Sequence, residues 1–328
     1  MKRISYFDNV KGLLIIFIIV AHVISLCATY YGYSNKILKI NCLFMLQCFF
    51  FISGYFAGKS KSSKSKKILK QIKTYIIWDS IITLYYYFVL HIISFDKTII
   101  LPRYTLWFLI TLITYQLMEY VMDKVPWKIM IPLAIIIGVG SGFIPSIGLE
   151  LSLARSCTFF PFYAIGYYAK DLDVIKLRNN KRWKYIMIIS SIVLVYFLLN
   201  NNNFFSLKLL KGAYSYSEIS GNNLSLAYKR LLSYGIASII SIGFLYLVPT
   251  TKSFLTKLGR NTLYIYLTQG VVLKTFITNH WMLKNQLLGS IQLFIITTII
   301  TTILANIIPK LKLKVGGAIY GRESKSFA

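Results

Sequence analysis

The sequence predicts an all-α integral membrane protein of about ten transmembrane helices, with both termini cytoplasmic. Three observations carry this. First, 56% of the 328 residues are hydrophobic and only 14% are charged, against about 25% charged in a soluble globular domain. Mean hydropathy is +0.61. Second, the apolar residues fall into ten long runs, at 11–30, 41–58, 74–94, 104–122, 128–145, 153–170, 184–200, 228–248, 259–278 and 286–308. Each approaches the roughly 20 residues that a helix needs to cross a bilayer. Third, the cationic residues are one-sided. The N-terminus carries three, the second loop seven, the fourth two, the sixth six, the eighth three and the C-terminal tail five. That is 26 of the 37 lysines and arginines on one side, the side expected to be cytoplasmic. Spans with short loops leave no room for a separate soluble domain, so the expectation is one transmembrane domain over 1–328.

The first run opens Tyr6-Phe7-Asp8-Asn9-Val10-Lys11-Gly12 and ends Ala21-His22. Lys2 and Arg3 before it give it the look of a signal peptide, but a second span follows closely and the apolar core holds His22. It is read as a retained first helix. Lys11 and His22 are eleven residues apart, about 20° past three full turns, so they share one helix face about 16 Å apart. Asp8 lies one helical turn before Lys11, where the two can pair. Ionisable groups inside a span are costly and mark pathways or reaction sites. A neutral imidazole at mid-depth can take a proton from a hydroxyl and return it to a leaving group. The bland alternative makes Asp8 and Lys11 interfacial anchors and His22 a helix–helix hydrogen-bonding group. Charge inside the spans is expected to concentrate in this first run.

Phe49-Phe50-Phe51-Ile52-Ser53-Gly54-Tyr55 closes the second run, and its small residues suit close helix packing. The second loop, Lys59 to Lys73, reads as a topology signal or a contact with anionic lipid. It also reads as a docking point for cofactor phosphates, with Lys67 and Lys70 together where a helix begins. Arg103 and Arg155 precede the fourth run and open the sixth. Both suit either snorkelling to headgroups or lining an acceptor pocket with Tyr and Trp. The longest outer loop, about 201–227, is Asn- and Tyr-rich. His91 and His280 lie at span ends and read as interface residues.

Several function classes are excluded. The net charge of +27 lies in loops beside apolar spans, so nucleic acid is not the partner. Three isolated histidines and no carboxylate cluster give no metal site. Cys27, Cys42, Cys48 and Cys157 form no CxxC; a Cys27–Cys42 disulfide across the first loop is one option. There is no GxSxG, no P-loop and no GxGxxG. No internal repeat points to an inverted-repeat transporter.

Taken together, these segments resemble the membrane-bound acyltransferase-3 family, in its branch of fucose-4-O-acetylase-like and polysaccharide O-acetyltransferases. The resemblance rests on Asp8, Lys11 and His22 in their spacing, on Phe50 to Tyr55, and on Lys67-Ile68-Leu69-Lys70. It rests also on Trp107-Phe108-Leu109, on Arg155 with Pro161-Phe162-Tyr163, and on Leu258-Gly259-Arg260-Asn261 through Leu267. One departure is Thr268-Gln269, where the family often has a histidine. The resemblance implies a ten-helix fold and acetyl-CoA or another acyl-CoA as donor on the cytoplasmic side. It implies a glycan or glycolipid acceptor, a bacterial plasma membrane setting, and polysaccharide-assembly proteins as possible partners. His22 would be the base, Lys11 with Asp8 would position it, Lys67 and Lys70 would hold CoA phosphates, and Arg155 would face the acceptor. The rival readings are a polysaccharide exporter or flippase, which would spread polar residues over several spans, and a non-catalytic component of a synthesis complex.

Overall fold

The computed structural model describes residues 4–27, 32–92, 102, 105–178, 180–219 and 222–323. Among these there are only helices and their connections. In chain order they are α1 (Ser5–Cys27), α2 (Gly32–Lys59), α3 (Lys64–Phe88), α4 (Trp107–Met122), α5 (Trp127–Gly140), α6 (Leu153–Tyr168), α7 (Val174–Arg178), α8 (Lys181–Asn200), α9 (Leu207–Lys211), α10 (Asn223–Leu247), α11 (Phe254–Arg260), α12 (Thr262–Thr278) and α13 (Gln286–Glu323). Among the described residues each of the ten apolar runs overlaps a helix. Among the described residues five stretches are long and apolar enough to cross a membrane: α1, Asn35–Lys59 of α2, α8, α10, and Leu287–Lys310 of α13. The others fall short for local reasons. Helices α4, α6 and α12 have 16, 16 and 17 residues, and the first half of α3 carries five lysines. Large apolar side chains stay exposed along these helices, among them Ile189, Ile192 and Val193 of α8. Contiguous apolar surface of that kind fits lipid rather than water.

The chain divides into two compact units. One joins residues 1–27 with 249–328, so the first helix packs with the last three. In it α1 lies against α11, α12 and α13. Helix α11 begins with a capping box, Ser253 N–H donating to Thr256 Oγ1 at 2.9 Å. Two glycines permit the closest approach: a Cβ on Gly259 would meet the Asp8 carbonyl oxygen at 1.7 Å, and one on Gly12 the Leu255 oxygen at 2.1 Å.

The other unit comprises residues 28–248. Its centre is the α2–α6 pair, where two sequence motifs meet. A Cβ on Gly54 would strike the Tyr163 carbonyl at 2.1 Å, and one on Gly166 the Phe51 carbonyl at 2.1 Å. The small residues of both motifs thus let the backbones touch, as expected. Phe50 fills the space beside them, 4.8 Å from Phe108, 5.3 Å from Tyr115 and 5.5 Å from Phe159 between ring centroids. Polar caps start the flanking helices. Asn180 accepts from Trp183 N–H, and Asn222 accepts from the Leu224 and Ser225 N–H groups, satisfying donors that a helix start leaves open.

The segment 201–227 is not an open loop. It contains α9 and a short 3₁₀ turn, and Leu209, Ala213, Tyr216 and Ile219 are buried. Its aromatic residues pay for this by packing: the Tyr216 ring covers Gly142, and its hydroxyl donates to the Val139 carbonyl at 2.8 Å. His91 and His280 are exposed and have positive φ, 53° and 54°. They stand just beyond α3 and α12 in the left-handed conformation that commonly ends a helix. Cys27 and Cys42 are free thiols, so no bridge spans the first loop.

Candidate active site

Helix α1 is unbroken from Ser5 to Cys27, so the spacing that puts Lys11 and His22 on one face holds. Both are half-buried. Asp8 is 2% exposed and its carboxylate lies 3.0 Å from Lys11 Nζ. A second cation reaches it: Arg260 Nε is 3.8 Å from the other carboxylate oxygen. Asp8 is therefore a buried anion between two cations, one from its own helix and one from the end of α11. Such a group needs its partners, because an isolated buried charge is strongly unfavourable.

The neighbouring residue fixes this arrangement. Asn9 is fully buried, and its amide makes four bonds. Nδ2 donates to the carbonyls of Pro249 (2.8 Å) and Thr251 (2.7 Å); Oδ1 accepts from Ser253 Oγ (3.3 Å) and Thr256 Oγ1 (2.5 Å). This uses the whole donor and acceptor capacity of an amide and locks the start of α1 to α11. Two motifs far apart in sequence, Asp8-Asn9 and Gly259-Arg260, are one structural element.

In the unit of residues 28–248, Lys67 and Lys70 part company. Lys67 Nζ lies 3.0 Å from Glu119 Oε2, and Glu119 is fully buried in α4. The Tyr163 hydroxyl donates to the other Glu119 oxygen at 2.9 Å. Lys64 donates to the Glu119 backbone carbonyl at 2.8 Å and pairs with Asp123. Tyr167 also donates to Asp123. Lys64 and then Tyr167 hold the Asp123 carboxyl below the usual aspartate range. Lys70 is exposed, on the side of α3 that also presents Lys66 and Lys73. Arg155 lies over the Trp107 ring, 4.6 Å from its centroid, bringing together two residues that the sequence marked separately. Arg103 lies outside the described residues.

Charge is not confined to the first span, contrary to the sequence expectation. Glu119 is one exception. Arg230 on α10 is another, 2% exposed, with its guanidinium 4.7 Å from the Tyr216 ring centroid. Its Nη atoms donate to the Gly138 and Tyr214 carbonyls, both at 3.4 Å. Sequence reasoning also gave no role of their own to Arg260 and Glu119. One signal for Glu119 was present: two lysines three apart begin α3, and two carboxylates four apart end α4.

Among the described residues no group of three His, Cys, Asp or Glu side chains is placed to hold a metal. A family model described as an acyltransferase domain matches residues 4–308, continuous across both units. No curated protein and no solved structure matches the chain.

Proposed function

The chain belongs to the acyltransferase-3 family, and from that premise we propose that it is a polytopic O-acyltransferase of a bacterial plasma membrane. On this reading it moves an acetyl or other short acyl group from acyl-CoA to a hydroxyl of a surface polysaccharide or its lipid-linked precursor. Ten helices cross the bilayer and both termini are cytoplasmic. His22 accepts the proton of the acceptor hydroxyl. The oxygen forms a bond to the acyl carbon, and the carbonyl π electrons move onto the carbonyl oxygen. Collapse of that intermediate breaks the C–S bond, and the CoA thiolate leaves with the proton that His22 returns. The atoms balance without a metal or redox partner.

The observation that carries this reading is the buried Asp8 carboxylate between Lys11 and Arg260 on the helix that bears His22. Three charged groups held at one level of a membrane helix are an expensive arrangement, and it fixes α1 as a rigid support for His22. Lys11 and Asp8 act here as positioning residues. Lys67 and Lys70 are proposed to meet the CoA phosphates, Lys67 sharing its charge with Glu119. Arg155 on Trp107 offers the acceptor a cation and an aromatic face, a combination suited to a sugar ring with an anionic substituent. Glu119 is paired with Lys67 and Tyr163, and Arg230 is held by two backbone carbonyls and the Tyr216 ring, so the buried charge outside the first span has structural partners and gives the transporter reading no new support.

The test is glycan NMR on cells lacking this protein and on the complemented strain. The proposal requires an O-acyl resonance that disappears on deletion, returns with the wild-type chain and fails to return with His22→Gln at equal membrane abundance. A glycan unchanged by deletion would contradict it.

A further inference from the structure

Gln269 on α12 is fully buried, and neither its amide nitrogen nor its amide oxygen has a hydrogen-bond partner among the described residues. The contrast with Asn9 in the same unit, which uses all its capacity, is sharp. Thr297 on α13 is also fully buried, and its hydroxyl has no partner either. This is unusual for these helices. Thr268, Thr275, Thr298 and Thr301 each return their hydroxyl to the carbonyl four residues earlier. Buried polar groups left unmade are costly and are rarely kept without a use.

The two groups share a level with His22. Helices α12 and α13 are antiparallel, with Asn261 Nδ2 donating to Asn306 Oδ1 at 2.9 Å at one end. Eight residues along α12 from Asn261 is Gln269, and eight back along α13 from Asn306 is Thr298. Helix α1 is tied to α13 at the other end, where Cys27 hydrogen-bonds Ser290. Seven residues in from that pair along each helix are Val20 and Thr297. At about 1.5 Å per residue, Gln269, Thr297 and His22 lie within about 5 Å of one another in height. They come from three different helices of one packed unit.

We propose that the Gln269 amide N–H and the Thr297 hydroxyl form the subsite that binds the thioester carbonyl oxygen of the acyl donor at the level of His22. This rests on the reading of His22 as base and deepens it. In the transfer step the carbonyl π pair moves onto that oxygen as the acceptor oxygen bonds to carbon, and returns as the C–S bond breaks. Fixed donors in a site without water stabilise the oxygen most when it carries negative charge. The same donors, unmet in the free protein, are satisfied only when the carbonyl is bound.

The experiment has two arms. In the first, acetyl-CoA labelled with ¹³C at the carbonyl is bound to purified His22→Gln protein, and the carbonyl stretch is read by infrared difference spectroscopy. A shift below the free thioester frequency is expected, relieved in His22→Gln/Gln269→Leu. In the second, Gln269→Leu and Thr297→Val are made in the wild-type background. Gln269→Leu should lower kcat about 100-fold or more, with a much smaller change in KM for the donor and a melting temperature equal to wild type or higher. A merely structural glutamine would not move the carbonyl frequency or split kcat from KM. A Gln269→Leu protein with wild-type kcat, or a carbonyl frequency unaffected by it, would overturn the subsite; should that variant fail to fold, Gln269→Met is held to the same criteria. If His22→Gln itself transfers acetyl, the base assignment fails separately, while the kcat of Gln269→Leu still decides the subsite.

Discussion

Replacing Glu119 by Gln tests whether the start of α3 and the end of α4 are held together by charge. Glu119 is fully buried, with Lys67 at 3.0 Å and Tyr163 at 2.9 Å. Removing one partner of a buried ion pair costs about 3–5 kcal/mol. Lys67 keeps 22% of its side-chain exposure, so solvent can take up part of its charge, and about 2–3 kcal/mol is the reasoned loss. At about 2 °C per kcal/mol for a chain of this size, the melting temperature should fall about 4–6 °C. Tyr163→Phe removes one hydrogen bond to a carboxylate, about 1.5–3 kcal/mol, and should lower it somewhat less. The assay is thermal unfolding of purified protein in detergent, with Lys67→Met and Glu119→Gln/Lys67→Met alongside. The double variant should be more stable than the sum of the two losses, because each single change strands a charge that the double change removes. Strictly additive losses would refute the pairing as an energetic unit. The same proteins report on donor binding: if Lys67 divides its charge between Glu119 and a CoA phosphate, Glu119→Gln should lower the apparent KM for acyl-CoA while Lys67→Met raises it.

Four further outcomes follow, three from the geometry and one from the charge pattern. Gly259→Ala places a methyl group 1.7 Å from the Asp8 carbonyl and should sharply reduce folded protein by size-exclusion chromatography. Gly140→Ala, with nothing within 4 Å, should be neutral or gain up to about 1 kcal/mol in helix propensity. Asp123, its carboxyl held below the usual range by Lys64 and Tyr167, contributes stability that is complete above the ordinary aspartate pKa. That contribution is lost as pH falls through the lowered folded value, so Asp123→Asn should flatten the acid limb of a melting-temperature profile. Cysteine placed at Ser62, in the seven-lysine loop, should resist an impermeant thiol reagent in intact cells and react after permeabilisation. Labelling of intact cells would reverse the proposed orientation.

Much of the architecture is legible in the sequence because a membrane helix announces itself locally. Among the described residues each apolar run overlaps a helix, and the glycines of the Ser53-Gly54 and Ile165-Gly166 segments stand where backbones meet. The Asp8–Lys11 pair is legible for the same reason, being one helical turn long. What escapes is everything set by long-range packing. Arg260 reaches Asp8 only because the last helices fold back on the first, and Glu119 meets a lysine 52 positions earlier. Its run of Leu117, Met118, Tyr120 and Val121 hides the carboxylate as a span-end residue. Segment 201–227 is polar enough to read as a loop, yet the Tyr216 ring packs over Gly142. Segments such as α6 and α12 are helical as expected but stop short of the length that would mark them as membrane-crossing on their own.

The most direct test of the account is acyl transfer by purified protein from labelled acetyl-CoA to an isolated membrane glycan acceptor, comparing wild type with His22→Gln. Glutamine keeps the size and hydrogen bonding of the imidazole but takes up no proton at neutral pH. General-base catalysis contributes about 10²–10⁴-fold, so the initial rate should fall at least 100-fold while melting temperature and donor binding stay near wild type. A His22→Gln protein that retained most of the wild-type rate would contradict proton abstraction by His22, and with it the central chemical claim.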